Sequence, residues 1–281
     1  MAIAVSTAAM IVVLSVFNGM ESFVKELYTG FYPDMKVTVQ KGKFFQLMGA
    51  QYEAAARIDG VQGITAVLED NVIVTNAQSG VQKIARLKGI DNRYIRVNEI
   101  ARYITGDVTV SAGNPNTTIG GARLMNELGA DINNVFSTVQ IWYGNAENTN
   151  FIANPEEAYR HLEVHPAGLF RISDEFDDKY LLAALPLVQT LFGAGTAISS
   201  VEMKIDPRKV DEVKQQLKTL FGDGYKVSDR YEQNQAMFMV MKSEGWTIYA
   251  ILVMVLLIAS FNMVGAMSVM VLEKQDRKST R

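Results

Sequence analysis

His161 and His165 are the only histidines in this 281-residue chain, and they stand in the order His-Leu-Glu-Val-His. Two histidines four apart can hold zinc on one face of a helix when a glutamate directly follows the first as general base. Here that place belongs to Leu162, and Pro166 follows the second histidine at once, so the pair reads as loop or strand residues without a metal. Asp174, Glu175, Asp177 and Asp178 could gather a cation, but the glycine and spaced ligands of a calcium loop are missing. No Gly-x-x-x-x-Gly-Lys-Ser/Thr segment exists to cradle a nucleotide phosphate, and Gly193-Ala194-Gly195-Thr196 lacks the lysine and reads as a turn. There is no Gly-x-Ser-x-Gly nucleophile elbow either. The absence of cysteine rules out a thiol nucleophile, a disulfide and a thiolate metal site, and is compatible with an oxidising compartment. The residues offer no catalytic, cofactor-binding or metal-binding set, so the chain does not read as an enzyme. Its net charge of −3 gives nucleic acid nothing to bind.

The chemistry that remains is that of lipid. Gly245 to Leu272 contains no Asp, Glu, Lys or Arg. As a helix this run is roughly 40 Å long, against about 30 Å of bilayer hydrocarbon, so it is expected to span a membrane as transmembrane helix 2 (245–272). Residues 1–20 are also uncharged and form the expected first span, its start missing; no Lys or Arg precedes Lys25, which argues against a signal peptide. Ala4 and Ala8 have the small-xxx-small spacing that lets helices approach closely in lipid. Asn262 is an amide within hydrocarbon and is expected to pack against another helix. Met10, Val13, Leu14 and Phe17 on the first span, and Met254, Leu257, Ile258 and Phe261 on the second, recur at helical spacing and are candidates to line the path of an apolar substrate. Lys274, Arg277, Lys278 and Arg281 follow the second span and place residues 273–281 in the cytoplasm, hence the segment between the spans outside. A chain opening inside a span and closing on a basic stretch is expected of a piece of a longer protein.

Both spans continue as amphipathic stalks, 21–33 and 230–244. Met20, Phe23, Val24, Leu27 and Phe31 form one stripe ended by Pro33; Met237, Phe238 and Met241 form the other. Strands are predicted at 35–40, 64–75, 81–90, 199–205 and 225–227. Helices are predicted at 51–58 and from Asp206-Pro207 to Phe221, with Asp206 as N-cap. Residues 34–90 and 197–229 then make one split α/β subdomain, interrupted by an insertion at 91–196. The insertion is expected to carry a helix at 120–128, strands at 136–143 and 164–172, a helix at 185–192 and an exposed loop at 145–155. The fold class is therefore membrane α-helical spans with an α+β domain between them.

Asn18-Gly19-Met20-Glu21, Glu232-x-Asn234, Phe238, Lys242-x-Glu244, Phe261-Asn262-Met263-Val264 and Val271-x-Glu273-Lys274 stand in an order and spacing, with further segments at 120–129 and 164–180, that resemble the permease subunits of lipoprotein-releasing ABC transporters, LolC and LolE, within the MacB/FtsX-like permease family. The resemblance implies a multi-pass protein of the bacterial inner membrane whose periplasmic domain has a Porter-like part (34–90 and 197–229) and an inserted Sabre-like part (91–196). It implies a separate ATPase subunit acting through a coupling region that starts at 273–281, and a second permease subunit, as homo- or heterodimer. It also implies lipoprotein substrates drawn from membrane lipid and a periplasmic chaperone that receives them, the work being done by mechanotransmission. The family's other members suggest an FtsX-like signalling permease or a MacB-type efflux permease as alternatives.

Overall fold

The structure, a computed structural model, describes residues 2–76, 78–106, 116–134, 136–144 and 158–279, without the side chains of 2–6, 25, 26, 29, 273 and 275–279. The loop expected at 145–155 lies outside the described residues, as does the side chain of Ala4. The chain divides into two units, one comprising 1–26 and 234–281 and the other Leu27–Gln233.

The first unit is built on two helices, α1 (Ala2–Thr29) and α9 (Gln235–Ser279). Each is long and apolar enough to cross a membrane, over Thr7–Val24 and Gln235–Leu272. Their apolar residues are mostly exposed, as expected of helices that face lipid or further helices and not of a soluble core.

The second unit holds, among the described residues, a sheet of ten strands. Four strand segments form its first part: β1 (Met35–Val39), β10 (Tyr225–Asp229), β9 (Ser200–Ile205) and the start of β2 (Val61–Asn76). They pair antiparallel in the order β10-β1-β9-β2. One face carries Met35, Val37, Ile64, Val201, Met203 and Val227, and packs on α2 (Gly49–Ala56) and on Val213, Leu217 and Phe221 of α7 (Val210–Phe221). Asp206 does not cap α7. It closes the turn before it, its side chain accepting the Arg208 N–H at 3.0 Å and its carbonyl the Lys209 N–H at 2.9 Å, and Lys209 takes the N-cap position.

The second half of β2 runs on into another arrangement. It pairs with β3 (Gln82–Ile90) on one side and β6 (Val139–Gly144) on the other. Strand β3 pairs with β8 (Tyr180–Ala184), β8 with β5 (Thr117–Gly121), β5 with β7 (Tyr159–Phe170), and β7 with β6. The pairings thus close into a circuit, which leaves these strands few free edges. Leu68, Val72, Leu87, Ile141 and Leu181 form its core with α4 (Ala122–Leu128) and α6 (Leu185–Phe192). A helix opening at Gly120 is not what forms. Gly120 and Gly121 end β5, pairing with Leu169 and Phe170 of β7, and α4 begins at Ala122; a Cβ at Gly121 would stand 2.2 Å from the Asp177 carbonyl oxygen, so only glycine fits there. Phe136 likewise lies before β6 and is 79% exposed.

Candidate functional site: the roots of the two helices

The last turn of α1 ends in Leu27, Tyr28 and Thr29, and the chain then buries Phe31 completely. The Phe31 ring stands 4.4 Å from that of Phe176 and 4.5 Å from that of Tyr180, centroid to centroid, with Phe170 at 6.2 Å. Burying such a side chain contributes about 2–3 kcal/mol. Tyr28 donates to Glu175, so the acidic cluster is put to structural use: Asp174–Asp177 is a short helix, α5, and Asp177 accepts the Ile172 N–H at 2.8 Å. Gly30 lets the Tyr103 ring pack close: a Cβ there would stand 2.5 Å from it and push it aside.

The chain leaves the unit beside the place where it enters. Arg230, in the short helix α8 (Arg230–Gln233), reaches Asp34 at 2.6 Å, and the Gln233 side-chain amide donates to the Pro33 carbonyl at 3.1 Å. Asp34 also accepts the Ile205 N–H at 2.9 Å, and Lys214 of α7 holds Asp229 at 2.6 Å and Glu232 at 2.7 Å. Within the Leu27–Gln233 unit, the segment that follows α1 and the one that precedes α9 are therefore bonded to each other and to strands β1 and β9.

Beneath them lies a charged face of the sheet. Cross-strand partners share a face, and the register pairs Lys36 with Ser228 and Glu202, Glu202 with Thr65, Glu69 with Lys88, and Arg86 with Tyr180. Lys88 and Glu202 are almost wholly buried, at 3% and 0% side-chain exposure, and form an ion pair at 2.8 Å. Asn98 donates to the second Glu202 oxygen at 2.9 Å. Lys88 also stands 4.8 Å from the Tyr94 ring centre and 5.1 Å from that of Phe31, which adds cation–π attraction. Burial alone would lower the Lys88 pKa, but Glu202, Tyr94 and Glu69 raise it well above the usual lysine range. Lys36 binds Glu69 at 2.7 Å, and Arg86 stands 3.7 Å away. Burial would raise the Glu69 pKa, yet Lys36, Lys88 and Arg86 overcome it and hold it at about 2.

In the helical unit, Met10, Leu14 and Phe17 are half-buried on one face of α1, and Met237, Phe238, Met241, Gly245, Ile248 and Leu252 line the matching stripe of α9. Phe17 stands 3.5 Å from the place where a Gly245 Cβ would lie, an ordinary contact distance. Met10 and Val13 line a wholly apolar cavity of about 210 Å³ with Ile248, Ile251, Leu252 and Val255. Met254, Leu257, Ile258 and Phe261 are 52–74% exposed, and Ala8 and Asn262 are exposed too. The structure thus brings the first-span candidates against α9 and leaves those of the second span outward. Met20 and Phe23 also point outward, at 50% and 60% exposure, so the stripe continuing α1 is Phe17, Glu21, Val24 and Leu27. His161 and His165 sit at exposed positions of β7, four residues apart along an extended strand and so roughly 13 Å from each other, too far to share a metal.

No protein-family model matches the sequence. Among solved structures the chain is similar to the periplasmic region of MacB from Actinobacillus actinomycetemcomitans, with a TM-score of 0.48 and 14% identity over 77% of this chain and 97% of that one. It is also similar to the extracellular domain of the noncanonic ABC-type transporter YknZ from Gram-positive bacteria, with a TM-score of 0.46 and 10% identity over 69% of this chain and 99% of that one. These are likenesses of fold. This chain has a mixed α+β domain, and long apolar helices precede and follow it.

Proposed function

We propose that this chain is a permease subunit of a MacB/FtsX-like ABC transporter, of the type that extracts lipoproteins from the bacterial inner membrane and passes them to a periplasmic chaperone. The observation that carries the reading is the bonding of the two helix roots to one another and to the sheet. In this reading a displacement of either helix would pass through these bonded segments to β1 and β9, which is what mechanotransmission needs. The motifs around Asn18–Glu21, Glu232–Glu244 and Phe261–Lys274 support lipoprotein release in particular. In this reading the chain hydrolyses no ATP itself; a partner ATPase acts on the region that begins at 273–281, and a second permease subunit completes the substrate path. Met10, Val13, Leu14 and Phe17, with Met254, Leu257, Ile258 and Phe261, would face acyl chains, while Ala4, Ala8 and Asn262 would pack against further helices. Residues 34–90 with 197–229, and 91–196, would serve as its Porter-like and Sabre-like parts.

Topology is tested in spheroplasts. A cysteine replacing the exposed Asp223 is expected to react with an impermeant thiol reagent, and one replacing Ser279 is not; the opposite pattern would sink the reading. Substrate is tested with photo-crosslinkers at Val13, Phe17, Leu257 and Phe261 of the full-length transporter. Capture of a lipoprotein that nucleotide releases is expected. Crosslinks to lipid or a partner permease alone would favour an FtsX-like signalling role.

A further inference from the structure

Along one face of α9 the residue types change in a set order. At about 100° per residue, Lys242, Trp246, Tyr249 and Val253 fall within one stripe about 60° wide. All four are exposed, Trp246 at 70% and Tyr249 at 53%. The stripe lies apart from Gly245, Ile248 and Leu252, which are turned to α1. It opens with a cation, passes to two amphipathic aromatic rings, and continues through Val253 and Leu256 into the apolar run. Tryptophan and tyrosine collect at the level of lipid head groups, with the apolar ring body inward and the polar edge in the wet layer. A lysine one turn above them can lay its stem along apolar surface and keep its ammonium among the phosphates. A stripe packed on another helix in lipid would favour small residues, which let backbones approach.

The length of α9 agrees with this placement. Trp246 and Lys274 are 28 residues apart, about 42 Å along the helix axis. A bilayer with its head-group layers is about 40–45 Å thick. The charge-free run from Gly245 overshoots the hydrocarbon alone. From Ala250 to Leu272 it measures about 35 Å, which an ordinary tilt of about 20° brings close to the hydrocarbon thickness of about 30 Å. Charge is also left over at the right level. Lys242 makes no ion pair among the described residues. Glu244 stands about 200° round the helix from it, and Glu21 of α1 is already engaged.

We infer that this stripe is a contact site for an anionic phospholipid in the leaflet at the start of α9. Lys242 meets the lipid phosphate, Trp246 and Tyr249 flank the glycerol level, and hydrocarbon begins near Ala250. An ammonium in the head-group layer attracts anionic lipid over zwitterionic lipid. The inference rests on the reading of α9 as a membrane span, and not on what the chain transports.

The test is tryptophan quenching by brominated lipid in nanodiscs. Trp142→Phe leaves Trp246 as the only tryptophan of this chain. Bromine near the head group is expected to quench Trp246 at least about twofold more than bromine near the chain ends. At equal mole fraction, brominated phosphatidylglycerol should quench about twofold or more over brominated phosphatidylcholine. Lys242→Gln should make the two lipids equal, and Lys218→Gln, in α7, should leave the difference intact. Circular dichroism should show native helix in both variants, since Lys242 and Lys218 are exposed. Strongest quenching by the deep bromines would put Trp246 in hydrocarbon and overturn the inference while leaving α9 a span. Equal quenching by the two lipids before substitution, or a preference that survives Lys242→Gln, would overturn the site as well. No quenching by any brominated lipid would remove the span reading along with it.

Discussion

Burying Lys88 beside Glu202 removes both charges from water, and their mutual attraction compensates only because each has further partners: Asn98 for the glutamate, two aromatic rings for the lysine. Removing one partner leaves the other charged in a dry site. Lys88→Met is therefore expected to destabilise the Leu27–Gln233 unit by about 3–5 kcal/mol, and adding Glu202→Leu should restore much of that. Urea unfolding of the two variants checks this, and a double variant no more stable than the single one would mean that the pair is not coupled. Glu69 makes a separate statement about pH. Its carboxyl falls from an ordinary value of 4.5 to about 2 in the folded state, so the folded protein binds fewer protons than the unfolded one between those values. The stability it contributes is fully present above pH 4.5 and is lost as pH falls toward 2. Glu69→Gln should lower stability at pH 7 and make its decline between pH 4.5 and 2 shallower, as urea midpoints at several pH values would show. None of these residues stood out in the sequence. Lys36 in Met-Lys-Val-Thr-Val, and Arg86 and Lys88 in Ala-Arg-Leu-Lys-Gly, alternate with apolar neighbours just as solvent-facing strand residues do. Only the register shows that this polar face is turned inward under Phe31.

At the scale of elements, local patterns carried most of the information. The apolar runs pointed to α1 and α9, the two-residue alternation to β1, and the turn residues at 76–80 to β2 and β3 on either side of them; Gly129 marks the end of α4 by its left-handed conformation at φ 70°. What misled was the meaning of apolar residues on a long exposed helix. Met20 and Phe23 belong to the same period as Leu27 and Phe31, yet they stand exposed while Met10, Leu14 and Phe17 are half-buried, with Phe17 beside Gly245 of α9. A Cβ there would make only ordinary contact with Phe17, so Gly245→Ala should be tolerated. A leucine must displace the Phe17 ring. Cysteines at Met10 and Leu252 are therefore expected to join readily under mild oxidation in the Gly245→Ala background and several-fold more slowly with Gly245→Leu. Equal rates would show that this glycine does not set the spacing.

At the scale of the whole molecule, chain order suggested two subdomains with a break near residue 91, but it could not show that β2 is one continuous strand serving two arrangements. Its even-numbered face passes from Ile64, in the core shared with α2 and α7, to Val72 and Val74, in the core of the strand circuit. Strand β3 then pairs in parallel with β8, a partner some ninety residues further on that no local pattern announces. Nor did the sequence show where the folded unit ends. Pro33 and Asp229 look like natural boundaries, since a proline stops one stalk and a strand precedes the other. The structure sets the boundaries at Leu27 and Gln233, because Phe31 fills an aromatic pocket between Phe176 and Tyr180, and because Arg230 and Gln233 bind Asp34 and Pro33. A fragment from residue 27 to 233 should therefore be soluble and melt in one cooperative step. Cutting to 33–229 removes Phe31 and both ties to the exit segment; removing a buried phenylalanine alone costs about 3–5 kcal/mol, a large share of the stability of an ordinary domain. The shorter fragment should unfold at a much lower urea concentration or aggregate on purification, and Phe31→Ala in the longer one should reproduce most of the loss. If both fragments unfold at the same midpoint, residues 27–32 and 230–233 are not part of the folded unit.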